Sequence, residues 1–137
     1  MKMKKKNGNK IEKQFNIEVT RRWKVIFYET EAGKCPMQNY IDTLSMNDRN
    51  HLLQRIEELR IIGNNIRRPK GDKLRDKIYE LRVALENFNT RALYFFCFEN
   101  NIVITHAFNK KTNKVPESEI NKAIKYRNDY LQRKLNK

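Results

Sequence analysis

IYELRVALENFNTRALYFFCFENNIVITHAFNKK, residues 78–111, is the stretch that decides the fold. Its β-branched and aromatic content and its alternation predict three strands, Ile78 to Leu85, Thr90 to Phe98 and Ile102 to Phe108. Glu86-Asn87-Phe88-Asn89 and Asn100-Asn101 separate them with turn chemistry, giving a meander of two hairpins. A four-residue first loop sets Ala84 across from Arg91, and a two-residue second turn sets Arg91 across from Lys110. One face then collects Tyr79, Leu81, Val83, Leu85, Ala92, Tyr94, Phe96, Phe98, Val103 and Ala107, with Thr105, and calls for helical cover. The other carries Glu80, Arg82, Arg91, His106, Phe108 and Lys110 toward one end and Leu93, Phe95 and Ile104 elsewhere. In this register Arg82 and Arg91 form a diagonal pair on adjacent strands, about 7–8 Å apart at the backbone, close enough to converge on one anion. A slip of one residue would scatter the cluster across both faces.

Working outward, the basic run Arg67-Arg68-Pro69-Lys70-Gly71-Asp72-Lys73-Leu74-Arg75 leads straight into the first strand. Such a loop is placed to drape Arg67, Arg68, Lys70 and Arg75 over the open face, although composition alone favours a solvated basic loop. Before it, Arg22 to Tyr28 reads as a strand bordering the meander. Pro36 opens a helix in which Met37, Tyr40, Ile41 and Leu44 recur at helical spacing. Ser45 and Asp48 form a capping box for a second helix, with Leu52, Leu53, Ile56 and Leu59 as its stripe and Gly63 as its stop. The two form a hairpin whose stripes match the apolar face of the sheet. Pro116 opens a third helix with Glu117 and Glu119 early and Arg127, Arg133 and Lys134 late, as the helix dipole favours. Its apolar side, Ile120, Ala123, Ile124 and Leu131, is suited to the apolar part of the second sheet face.

The 137 residues predict one domain, 21–137, preceded by a basic extension over 1–20. The net charge is +14; six lysines and two glutamates among the first twenty residues leave +10 on the remaining 117. That balance points to nucleic acid first, then to an anionic membrane or an acidic protein. Cys35 and Cys97 stand apart without metal-ligand spacing and read as reduced thiols. No apolar run is long enough for a membrane span and the N-terminal lysines lead into Asn-Gly-Asn, so the expectation is a cytoplasmic protein with no membrane partner.

Scattered acidic residues and the lack of a Ser/His/Asp set leave acyl transfer and carboxylate-metal chemistry poorly supported, and no cofactor is expected. The reaction suited to a cationic cleft is RNA cleavage by the substrate's own 2′-hydroxyl, with Arg82 and Arg91 stabilising the charge that builds on the phosphate. A lysine crowded by other cations has a lowered pKa and can take the 2′ proton, and Lys73 is placed for it. His106, Lys110 or Lys111 can protonate the leaving oxygen, and Phe108 can stack on a base. Equally, His106 fits a satisfied strand histidine and Phe108 a core residue, so on the residues alone simple RNA binding ranks above catalysis.

Three motifs in order change that ranking. Lys73-Leu74 with Ile78-Tyr79-Glu80-Leu81-Arg82, then Thr90-Arg91-Ala92-Leu93-Tyr94-Phe95-Phe96, then Ile102-Val103-Ile104-Thr105-His106-Ala107-Phe108-Asn109-Lys110-Lys111-Thr112-Asn113-Lys114-Val115-Pro116, resemble the RelE/ParE toxin superfamily, and in particular its HigB-type branch. The resemblance covers roughly residues 22 to 131. It implies an α+β, RelE-like fold: an antiparallel-dominated four-stranded sheet with a helical hairpin on one face and a C-terminal helix, in the order β-α-α-β-β-β-α. It also implies the toxin of a type II toxin–antitoxin system, a messenger RNA endoribonuclease acting in the ribosomal A site without metal and silenced by a cognate HigA-like, DNA-binding antitoxin. Lys73, Arg82, Arg91 and Lys110 or Lys111 match the family's basic positions, and Lys114 lies in the closing motif. The sequence departs from many RelE-like members in offering Phe108 where they carry a catalytic tyrosine, which leaves the acid and base unassigned. A gyrase-targeting ParE-like toxin and a non-catalytic RNA- or antitoxin-binding domain are the alternatives.

Overall fold

A computed structural model describes residues 23–136, so the expected basic extension over 1–20 lies outside the described residues. The chain runs β1 (Lys24–Phe27), α1 (Pro36–Asp42), α2 (Met46–Ile62), β2 (Gly71–Lys73), β3 (Tyr79–Ala84), β4 (Asn89–Cys97), β5 (Asn101–Lys110) and α3 (Glu117–Leu135). Local chemistry sets these limits. Pro36 occupies the first turn of α1, and Ser45 Oγ accepts from the Asp48 amide at the start of α2. The Asp48 carboxylate, instead of closing the capping box, accepts the Glu86 amide at 3.1 Å and ties α2 to the β3–β4 loop. Gly63 ends α2 at φ 63°, and a Cβ there would lie 2.2 Å from Trp23 Nε1, so both conformation and space require glycine.

The sheet is α+β in character but has five strands where four were expected, in the order β1-β5-β4-β3-β2. β1 runs parallel to β5 and the other pairs are antiparallel. The extra strand is β2, three residues of the basic connection that pair with Leu81, Glu80 and Tyr79. Polar and glycine-containing, it carries no strand pattern of its own and exists because β3 offers an open edge.

The expected register is corrected in two ways. Arg82 stands directly opposite Arg91, and Arg91 opposite Phe108, each two residues from the positions that loop length suggested. An even shift keeps every side chain on its face, so the cationic face survives. Between Leu93 and Tyr94 the register to β5 slips by one, because Leu93 pairs with His106 while Tyr94 pairs with Ile104. Thr105 is the extra residue of this β-bulge, and its Oγ1 donates to the Leu93 carbonyl at 3.2 Å within the interrupted ladder. Val103 and Ile104 therefore exchange faces relative to the expectation. Phe98, expected on the apolar face, lies in the β4–β5 turn at φ 51° and is 58% exposed.

Two apolar layers sandwich the sheet. Met37, Ile41, Leu52, Ile56 and Leu59 of the helical hairpin pack on Leu81, Val83, Ala92, Tyr94, Ile102 and Ile104. On the other face Ala123 and Tyr130 of α3 cover Leu93, Phe95 and Val103, with Tyr28 and Ile78 alongside. α3 thus shields the apolar part of that face and leaves the charged end open, as its stripe predicted.

Candidate functional site

Four neighbouring strands deliver the charged end of the second face. Glu80 and Arg82 lie two apart on β3, Asp72 of β2 pairs with Glu80, Arg91 of β4 pairs with Arg82, and Phe108 and Lys110 follow on β5. The two arginines are not a bare cation pair, because the Glu80 carboxylate, only 2% exposed, joins them. Arg82 donates from Nε to Glu80 Oε2 at 2.9 Å, and its Nη2 lies 2.8 Å from the same oxygen. Arg91 Nε is 3.2 Å from Glu80 Oε1, an ion contact without hydrogen-bond alignment. Arg91 is buried and donates to the Thr90 carbonyl, whereas Arg82 is a quarter exposed and also faces Asp72 at 3.8 Å. Burial, with Arg82 nearby, lowers the Arg91 pKa although Glu80 opposes it.

A cleft of about 300 Å³ opens over this carboxylate-bridged pair, lined by Arg68, Asp72, Lys73, Arg75, Glu80, Arg82, Lys110, Asn113, Lys114 and Glu117 among others. Six cations face three carboxylates, which leaves a surplus of positive charge for an anion. Arg68 is held by Asp72 at 2.7 Å. Arg75 is tied to the first turns of α3 through Glu117 at 2.9 Å and Asn121 at 2.7 Å, closing one end of the cleft. Among the described residues neither Lys73, Lys110 nor Lys114 is in salt-bridge contact with a carboxylate. The Lys110 pKa is lowered, by burial first and then by Arg91 and Arg82, with Glu80 pulling the other way.

The structure thus gathers Lys73, Arg82, Lys110, Lys114, Arg68 and Arg75 at one cleft; Arg91 is not among the lining residues and reaches it through Glu80, which is. The remaining candidates lie elsewhere. Lys111 and Phe108 line a neighbouring hollow with Tyr40, Asn109 and Glu119. Lys70 turns toward Glu58 at 3.6 Å, and Arg67 donates to the Asn64 and Ile66 carbonyls on the hairpin side. His106 is buried, with Nε2 2.9 Å from Glu119 Oε1 and Nδ1 3.0 Å from Thr105 Oγ1, so both ring nitrogens are engaged. Its pKa is lowered by burial, against the pull of Glu119. That is the satisfied strand histidine weighed from the sequence, here fastening α3 to the sheet. Sequence reasoning missed Glu80 as the bridge, along with Asp72 and Glu119. The first had a signal: a carboxylate two residues from Arg82 on the same strand shares its face.

A five-stranded α+β sheet with a helical hairpin on one face and a C-terminal helix partly covering the other is compatible with a RelE-like fold, and that is the class this chain falls in. Residues 39–128 match the family Phage derived protein Gp49-like (DUF891), and the chain belongs to that family, one of the RelE/ParE-like toxin families of toxin–antitoxin systems. The matched span contains every residue named as lining the cleft. No curated protein matches the chain. Such a family implies an antitoxin partner. No helix of the described residues is long and apolar enough to cross a membrane.

Proposed function

We propose that this chain is a HigB-type toxin that cleaves messenger RNA in the ribosomal A site by metal-independent 2′-hydroxyl attack, and that a HigA-like, DNA-binding antitoxin neutralises it. The observation that carries the reading is the cleft in which Arg82 and Lys110 meet over a buried Glu80–Arg91 pair. Arg82 contacts the scissile phosphate. Negative charge builds on its oxygens as the 2′ oxygen bonds to phosphorus, and a guanidinium held in place by Glu80 stabilises that charge more than the ground state. Lys110, whose lowered pKa raises its neutral fraction, takes the 2′ proton in place of the Lys73 expected from the sequence. Lys73, exposed on the rim, donates a proton to the departing 5′ oxygen as the P–O5′ bond breaks. Arg91 is a positioning residue: it holds Glu80 and depresses the Lys110 pKa. Residues 21–137 act as one toxin domain and residues 1–20 as a basic extension, and the protein works in the cytoplasm on ribosomes.

Brief induction in a bacterial host, with 5′-end mapping of messenger RNAs, tests this. Cuts within translated regions that disappear in Arg82→Gln, with antitoxin binding retained as a check on folding, are the expected result. Growth arrest with intact messenger RNA and damaged DNA would replace the reading with gyrase targeting. Salt-sensitive RNA binding without arrest would leave a binding domain.

A further inference from the structure

The edge strand β2 separates the cleft from a second cavity that the proposed reaction does not use. This cavity, about 400 Å³, opens on the hairpin side of the sheet and is lined by Asn64, Ile66, Arg67, Tyr79, Tyr94 and Phe96, together with Asp72 and Lys73. Its aromatic wall is ordered: the Tyr79 and Tyr94 rings stack at 5.5 Å, and Phe96 meets Tyr79 edge-on at 5.1 Å. Tyr94 is buried behind, while Tyr79 and Phe96 are only partly covered and present ring surface to the cavity. The guanidinium of Arg67, which lines the cavity, donates to the Asn64 carbonyl at 2.9 Å and the Ile66 carbonyl at 3.0 Å, and among the described residues no carboxylate is in salt-bridge contact with it.

Asp72 and Lys73 line both spaces, so the wall between them is one strand thick. The consecutive arginines divide across it, Arg68 to the cleft and Arg67 to the cavity. Lys73 pairs with Tyr79, whose ring belongs to the hairpin face, yet it also borders the cleft. Cations therefore mark a continuous path around the sheet edge, from Lys110 and Arg82 past Lys73 to Arg67, ending at an aromatic wall. An anionic backbone followed by a planar ring is the ligand such a path fits.

We propose that the Tyr79–Phe96 cavity is a specificity subsite that takes the base of a nucleotide flanking the cleaved linkage. Its connecting phosphate crosses the β2 edge between Lys73 and Arg67, and the base stacks on Tyr79. This rests on the RNA reading of the cleft, and it adds a recognition element on the opposite face of the sheet.

The test uses labelled single-stranded RNAs with 2′-O-methyl riboses, which 2′-hydroxyl attack cannot cleave, lengthened one nucleotide at a time and followed by fluorescence anisotropy. One added nucleotide should tighten binding roughly 5- to 150-fold, the range expected for one base stacked on an aromatic ring. An abasic nucleotide at that position should remove the step, as should Tyr79→Leu, whereas Tyr79→Phe, which keeps the ring, should retain it. Arg82→Gln should weaken every length, which separates cleft from subsite. Binding without a length step, or a step that persists in Tyr79→Leu, overturns the subsite while sparing the cleft. A Tyr79→Leu variant that weakens antitoxin binding but keeps the step assigns the cavity to the antitoxin and overturns it too. Failure of the wild-type chain to bind any of the RNAs overturns the subsite alone, because the cleft reading concerns RNA held on the ribosome and is decided by the 5′-end mapping.

Discussion

Replacing Glu80 by glutamine isolates the contribution of the carboxylate that joins the two arginines. Glutamine keeps the shape and one carbonyl acceptor, and removes the charge. Breaking a buried ion pair by deleting one partner costs about 3–5 kcal/mol, because the other charge is left uncompensated. Two features reduce that figure here. The Arg82 side chain is 25% exposed and retains Asp72 at 3.8 Å, so solvent and a second carboxylate replace part of what it loses. The deficit therefore falls chiefly on Arg91, whose side chain is only 9% exposed, and Glu80→Gln should cost ~2–3 kcal/mol in urea unfolding without added anions. The same change leaves two facing guanidiniums with less competing negative charge. Inorganic phosphate should therefore restore stability in the variant, by about 1.4 kcal/mol at ten times the variant's dissociation constant, and should stabilise the wild type less at the same concentration. A loss below about 0.5 kcal/mol, the level of an ordinary surface substitution, would show that Glu80 does not hold the pair. A full loss with no response to phosphate would show that the pair does not receive anions.

Further expectations concern the titrations of Lys110 and His106 and one backbone position. Lys110 should titrate below the ordinary lysine value of 10.5, moving lower still in Glu80→Gln and back up in Arg82→Gln, as read by NMR of reductively methylated lysines; an unchanged position in both variants would remove it as base. His106 has a folded-state pKa below its ordinary 6.5, so the unfolded chain binds its proton first. Its contribution to stability is complete above 6.5 and is lost as pH falls through the lowered value. Urea unfolding between pH 7.5 and 5 should accordingly show a shallower decline in His106→Gln than in the wild type, and parallel slopes would contradict this. Gly63→Ala should cost at least about 1–3 kcal/mol for the strained φ alone, with displacement of Trp23 reported by a shift in tryptophan fluorescence; a stable variant with an unmoved spectrum would refute the packing argument.

Much of the architecture was legible because it depends on periodicities of two and 3.6 residues. Alternation over 78–111 marked Arg82, Arg91, His106, Phe108 and Lys110 as one face, and an even register shift could not undo that. The stripes of α1 and α2, Pro36, the Ser45 cap and Gly63 fixed the hairpin from local chemistry, except that Leu53, expected in the α2 stripe, lies one position off the buried face and is exposed. The motifs pointed to a RelE/ParE-like toxin, and the family match agrees at that level. What sequence could not supply depends on which strands and helices become neighbours. β2 is a strand because β3 has an edge to pair with, and the Thr105 bulge follows from how β4 and β5 meet. The placement of α3 brings Glu119 to His106, so that both nitrogens of the buried imidazole are engaged within the fold. Burial and the charges that surround Lys110 in the folded chain lower its pKa, and no linear spacing encodes that environment. Periodicity determined which side chains share a surface; tertiary contact decided which of them are paired, buried or left open to an anion, because those properties belong to distances between segments remote in the chain.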